Sequence, residues 1–216
     1  NVSHDADRLS NGNTIFVNTW DIEGEDQVVE ITPNGKEVLN WKISDSGIEC
    51  NGKRFRCNSF DGRKKSYTHI NGVQKIDDER FLVSLRNLNR AVIIGPNFKI
   101  LEIYKQIGGV HDPRITDGSI IAVDRKRGRG LIKRKRGSVT TAKDNELLLN
   151  YRELDLTFLR TNEKISDENI LLTDSRSLII FNVNSKKIVW KLNLDRFEDQ
   201  KSGNGRYIYK ASWVYK

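Results

Sequence analysis

The chain has 216 residues, 37% hydrophobic and 31% charged, apolar enough to bury a core and too polar for a bilayer, with no run near the ~20 apolar residues of a membrane span. Its net charge of +8 is local: eight of the 37 basic residues fall in residues 125–136, which hold no acid, and the other 29 match 29 acidic residues. That distribution argues against nucleic acid and leaves one basic loop, 125–136, to be read either as a solvated loop or as a docking point for an anionic partner.

The chain opens on Asn1-Val2-Ser3-His4 without a basic-then-apolar leader and contains no methionine, which points to a chain that begins internally. From there a pattern recurs. Residues 10–17 form a polar turn followed by an apolar run, and residues 77–83, 117–123 and 167–172 repeat it, with a weaker fifth copy at 144–149. Taking the turns at residues 11, 78, 117 and 167, the intervals are 67, 39 and 50, around the ~40 residues of a four-stranded propeller blade.

A second unit follows each of three copies. Residues 28–41, 91–104 and 178–190 each run from a β-branched strand through a Pro/Asn/Gly-type turn to a second strand that ends in an aromatic, Trp41, Tyr104 or Trp190. Asn34, Asn97 and Asn184 fall in register, as do Lys36, Lys99 and Lys186. These are β-hairpins whose closing aromatics are expected to pack between layers. No capped stretch with helical periodicity interrupts them. The predicted fold is therefore all-β, one propeller domain over residues 1–216 built from four-stranded antiparallel blades, with four to five blades in this chain and the rest of the ring outside it. The long first interval marks an insertion around residues 44–66.

Cys50 and Cys57 lie in that insertion on either side of a turn-forming stretch. A disulfide between them would contribute about 2.5 kcal/mol by loop entropy, and would suit an extracytoplasmic home; two free thiols are the alternative. No third cysteine or histidine has the spacing of a metal site, no cofactor motif appears, and the phosphate-loop, serine-elbow and calcium-loop signatures are absent.

The chain has three histidines. His4, His69 and His111 each precede a polar turn by six to nine residues. First strands of propeller blades line the central channel, so this placement aims three imidazoles at one cavity. Alternation along a strand would put Asn71 beside His69, and Arg86 closes the strand that follows. Trp20 follows the first inner strand and is read either as a channel platform or as core.

These residues resemble the bacterial and fungal arylsulfotransferases. The likeness is carried by His4-Asp-Ala-Asp-Arg-Leu-Ser-Asn-Gly-Asn13, by His69-Ile-Asn-Gly-Val73 with Phe81-Leu-Val-Ser-Leu-Arg86, by His111-Asp-Pro-Arg114 with residues 117–124, and by Lys187-Ile-Val-Trp190 with Ile208-Tyr-Lys-Ala211. The resemblance implies a six-bladed ring, and nucleotide-independent transfer of a sulfuryl group from an aryl sulfate to a phenol through a sulfated histidine. It assigns His111 as nucleophile and His4, His69, Asn71 and Arg86 as the groups that hold the sulfate oxygens. Two positions depart from the family pattern. Gly72 stands where serine is usual, and Asp124 leads into the basic run. The competing expectation is a non-catalytic extracellular propeller, a scaffold or homo-oligomeric surface module whose histidines staple blades together.

Overall fold

The computed structural model describes residues 4–18, 25–48, 68–126, 130–135, 146–150, 153–154, 156, 158–193 and 210–214. These residues form four antiparallel four-stranded sheets, each in simple chain order. Blade I is β1 (Ala6–Arg8), β2 (Thr14–Asn18), β3 (Gln27–Ile31) and β4 (Glu37–Lys42); blade II is β5 (Val73–Lys75), β6 (Phe81–Leu85), β7 (Arg90–Ile94) and β8 (Ile100–Lys105). Blade III is β9 (His111–Thr116), β10 (Ser119–Asp124), β11 (Gly130–Lys135) and β12 (Glu146–Leu149); blade IV is β13 (Leu159–Lys164), β14 (Asn169–Asp174), β15 (Ser177–Asn182) and β16 (Lys187–Asn193). The first strands of successive blades touch one another, β1 with β5, β5 with β9 and β9 with β13, so they line the axis. The four recurring turns of the sequence are the first turns of the four blades, and the three hairpins are the outer strand pairs of blades I, II and IV. In blade III the first turn is an Asp117-Gly118 pair, both with positive φ, joining Thr116 to its partner Ser119. That is the two-residue hairpin whose twist matches the flanking strands.

Two expectations change here. Residues 144–149 open no fifth blade, because Glu146–Leu149 pairs with β11 as the outermost strand of blade III. An acidic turn before an apolar run announces a strand but not its place in the blade. The basic run is also not one loop. Gly130–Lys135 is β11, and Arg134 is buried within it, donating from Nη1 to the Lys105 carbonyl at 2.7 Å. A charge so placed is part of the seam between blades II and III and is lost to any docking surface. Residues 127–129 and 136 of the run, with Trp20, Cys50 and Cys57, lie outside the described residues. Of the insertion, 44–48 are described and sit in the short 3-10 turn Ile43–Ser46 and just after it. Among the described residues no helix is long and apolar enough to cross a membrane.

Apolar residues alternate along the middle strands and fill three seams. Blades I and II enclose Ile15, Val17, Val28, Trp41, Phe81 and Val83. Blades II and III enclose Leu82, Ile93, Tyr104, Ile120 and Ile132, and blades III and IV enclose Ile121, Leu131, Leu172, Ile179 and Phe181. Each such side chain contributes about 1.5–3 kcal/mol by leaving water. Trp41 is fully buried and meets Phe81 edge-on at 5.5 Å, its indole N–H donating to Ser46 Oγ at 2.8 Å. Tyr104 is 2% exposed in the next seam. Trp190, their counterpart in blade IV, is 45% exposed, which corrects the expectation that it packs between layers. It shares a sheet face with Ile180, its cross-strand partner, and with the Leu178–Leu192 pair, and no described sheet covers that face.

The seams are pinned by polar side chains that reach across to the next blade's innermost strand. Asp5 Oδ2 accepts from Val73 N–H at 2.8 Å, Gln74 Oε1 from Ile115 N–H at 2.7 Å, and Asp112 Oδ2 from Asn162 N–H at 2.7 Å. Residues that follow the histidines thus carry these three staples. Gly72 belongs to the same seam, since a Cβ there would lie 2.8 Å from Asp112 Cα and 2.9 Å from its nitrogen. This close approach of two backbones leaves no room for a side chain at that position. Gly72→Ser should force blades II and III apart locally and lower the urea-unfolding free energy by about 1–3 kcal/mol; an unchanged midpoint would show that the seam yields freely.

Candidate functional site

The innermost strands all run in one direction, so their starts gather at one mouth of the channel and their first turns at the other. An ionic cluster lies one step in from those starts, at the floor of a cleft that extends to the turn side. Arg114 bonds Asp7 Oδ2 from Nη1 at 2.6 Å and Asp112 Oδ1 from Nη2 at 2.8 Å, and Lys210, carried by residues 210–214, bonds Asp5 Oδ1 at 2.6 Å and also Asp7. Trp213 of the same segment donates its backbone N–H to Glu163 at 3.3 Å. Residues 210–214 thus lie over a cleft of about 540 Å³ between β1 and β13.

The mouth at the strand starts gathers the histidines. His4 lies just before β1, and its Nε2 is 3.1 Å from His69 Nε2, with the rings tilted at 33° and 4.9 Å between centroids. One ring donates its N–H to the lone pair of the other. His69 lies four residues before β5 in a left-handed conformation, φ 50°. Residues 69–72 are therefore not a strand, and the alternation that was to align His69 with Asn71 does not operate. Asn71 is instead held by its own contacts: Oδ1 accepts from Ser84 Oγ at 2.6 Å, and its backbone N–H donates to the same oxygen at 3.1 Å. The side chain is 2% exposed, and Nδ2 has no hydrogen-bond partner among the described residues.

His111 begins β9 and is buried. Its Nδ1 lies 2.7 Å from the Gly109 carbonyl, which can only accept, so Nδ1 carries the proton and Nε2 is left with a lone pair. Arg125 Nη1 stands 3.2 Å from that Nε2. The same guanidinium covers the Phe158 ring at 3.0 Å from its centroid, and Arg160 lies 4.1 Å from the same ring. Phe158 also meets His111 edge-on at 6.3 Å. Arg86 opens the 3-10 turn Arg86–Leu88 directly after β6.

Charge binds these groups into one site. Burial, then Arg86 and Arg160, hold the His4 pKa down to about 4. Burial, then Arg86, His4 and Arg125, hold His69 down to about 3. Burial, then Arg125, hold His111 well below its ordinary value, against the opposing pull of the Gly109 carbonyl. All three rings are neutral at neutral pH, and three guanidiniums act on them. Neutral imidazole with an unprotonated Nε2 is nucleophilic once its lone pair is uncovered, and guanidiniums with an unpaired amide N–H are donors for oxyanion oxygens.

His4 and His69 are in direct contact, and Arg86 acts electrostatically on all three histidines. Arg125, Phe158 and Arg160 were missed. Phe158 and Arg160 stand nine and seven residues before the turn at Asp167, the window occupied by the histidines in the other blades, so the repeat itself carried that signal. Among the described residues no group of three or more His, Cys, Asp or Glu side chains is placed to hold a metal.

Fold and channel together make this chain a β-propeller. No family model matches it and no curated protein matches it. Among solved structures, it is similar to a protein of unknown function from Bacteroides caccae, with TM-score 0.61, 16% identity, and 88% of this chain aligned over 66% of the other. It is similar to the glutaminyl cyclase of Myxococcus xanthus, with TM-score 0.52, 9% identity, and 86% of this chain over 68% of that one. An extracellular domain from B. thetaiotaomicron aligns with TM-score 0.50 and 12% identity, 87% of this chain covering 28% of its length. These likenesses establish the fold.

Proposed function

We propose that the channel takes an aryl sulfate and moves its sulfuryl group to a phenol by way of His111. The observation that carries this reading is the three neutral imidazoles held among three arginines at one mouth, with Nε2 of His111 unprotonated and facing Arg125. In the first step the Nε2 lone pair forms a bond to sulfur while the aryl O–S bond breaks, its electron pair leaving on the phenolate, which takes a proton from solvent. The ring then carries positive charge, and its Nδ1–H remains donated to the Gly109 carbonyl, which steadies that charge. In the second step a phenol oxygen takes the sulfur, loses its proton to solvent, and the N–S electron pair returns to Nε2. Sulfuryl transfer passes through a loose arrangement with charge spread over the equatorial oxygens. Arg86, Asn71 Nδ2 and the His4–His69 pair are the donors assigned to those oxygens.

The rival expectation, histidines spent as staples, describes the His4–His69 contact between blades I and II but not His111, whose ring bonds the Gly109 carbonyl of its own approach segment and meets Arg125. The same reading takes the ring as six-bladed, supported by the uncovered apolar face around Trp190. An extracytoplasmic home goes with it, and an extracellular domain is among the proteins that share the fold.

The test is incubation with a chromogenic aryl sulfate, with intact mass read before any phenol is added. A gain of one sulfuryl group, mapped to His111 by peptide fragmentation and discharged by phenol, is the expected result. No adduct and no phenol release from folded protein would overturn the reading in favour of a surface scaffold.

A further inference from the structure

Arg125 belongs to the basic run, yet it is directed into the channel. The reason is local. After β10 the chain turns at Arg125 and Lys126, whose backbone N–H groups both donate to the Gly108 carbonyl, at 2.6 and 2.8 Å. Gly109 N–H in turn donates to Asn89 Oδ1 at 2.8 Å. Glycine is required at 108, where a Cβ would stand 2.6 Å from Lys126 Cβ. The Gly108-Gly109 segment therefore orients two groups at once, the His111 ring through the Gly109 carbonyl and the Arg125 backbone through the Gly108 carbonyl.

The result is a guanidinium whose Nη1 is 3.2 Å from His111 Nε2 and whose plane lies on Phe158. An imidazole nitrogen that accepts a hydrogen bond has its lone pair engaged, so it cannot attack sulfur until the donor leaves. Guanidinium has five N–H donors in one plane. Stacked on an aromatic face, it can slide without losing that contact. An anionic sulfuryl oxygen beside Nε2 adds to the hydrogen bond a direct attraction between opposite charges, which a neutral imidazole nitrogen does not offer the guanidinium.

We propose that Arg125 is a positioning residue that passes its hydrogen bond from Nε2 of His111 to an oxygen of the arriving sulfuryl group, so that the nucleophile is uncovered only beside its substrate. This rests on the reading of His111 as nucleophile. Phe158 is the rail on which the guanidinium moves. The chain thus uses one member of its basic run as part of the site.

The test reads Nε2 directly and needs no turnover. Carbethoxylation of His111 by diethyl pyrocarbonate is followed by peptide mass spectrometry in the wild type, Arg125→Ala and Arg125→Lys, with His4 as internal reference. The expected result is a rise of roughly tenfold at His111 in Arg125→Ala and a smaller rise in Arg125→Lys, which keeps a charge but loses the planar stack, with His4 unchanged. Arg125→Lys also serves if the alanine variant fails to fold. With an aryl sulfate, KM should rise in both variants. Equal His111 modification in all folded variants would overturn the cap. A released His111 in a protein that never forms a sulfated adduct would leave the cap standing and remove the sulfuryl-transfer reading instead.

Discussion

Lowering the pH from 7 to 5 should strip several kcal/mol from the folding free energy. His4 is held down to about 4 and His69 to about 3, both first by burial and then by Arg86, and His111 is held well below its ordinary value by burial and Arg125. In the unfolded chain each titrates at its ordinary value of 6.5. Between the two values the unfolded state binds more protons, so stability is present above 6.5 and is lost as pH falls below it. Each fully shifted histidine contributes a slope of about 1.4 kcal/mol per pH unit, so His4 and His69 together approach about 2.5 kcal/mol per unit near pH 5, and His111 adds in the same sense. Burial holds the Asp5 and Glu163 carboxyls above their usual range, and these work in the opposite sense. Comparison with variants separates the contributions. Urea unfolding at pH 7, 6 and 5 should show a steep loss in the wild type and a shallower one in His4→Gln/His69→Gln. Parallel curves would mean that the rings take up protons freely in the folded protein.

The largest kinetic effect belongs to His111. Alanine there removes the atom that accepts sulfur, and transfer from an aryl sulfate should fall by at least ~10⁴-fold, as for other covalent nucleophiles. Arg86→Ala leaves Nε2 in place and removes one oxyanion donor, so kcat should fall by about 10²–10³-fold, or about 3–4 kcal/mol of barrier, while the sulfated adduct still forms slowly. That difference in adduct separates a nucleophile from a stabilising group. Equal residual rates in the two variants, with adduct in neither or in both, would contradict the division of roles.

Much of the fold was legible because propeller blades repeat local patterns. The four first turns and three outer hairpins are short-range features, written in Asp/Asn/Gly turns and period-two apolar runs. The fifth copy at 144–149 misled because β12, an outer strand, shares that wording with an inner one. Trp190 shows the complementary limit, since a repeat position says that a side chain points at the next layer and not that a layer is there. Its burial depends on a sheet that no local pattern supplies.

At the site, the common window before each turn brought the histidines to one mouth, and the same window held Phe158 and Arg160. Reading it for histidine alone lost them. Arg134 and Arg125, nine residues apart in one basic stretch, read alike and end differently, one buried against the Lys105 carbonyl and the other set against His111 Nε2. The amino-acid sequence by itself determined the blades, their turns and the level at which each channel residue enters. The pairing of His4 with His69, the cover of Arg125 on His111 and the clasp of Lys210 on blade I were decided by the tertiary structure. Strand alternation and turn chemistry act over a few residues, whereas these contacts join groups up to 205 residues apart, and they exist only once the packed seams have set the angle between blades.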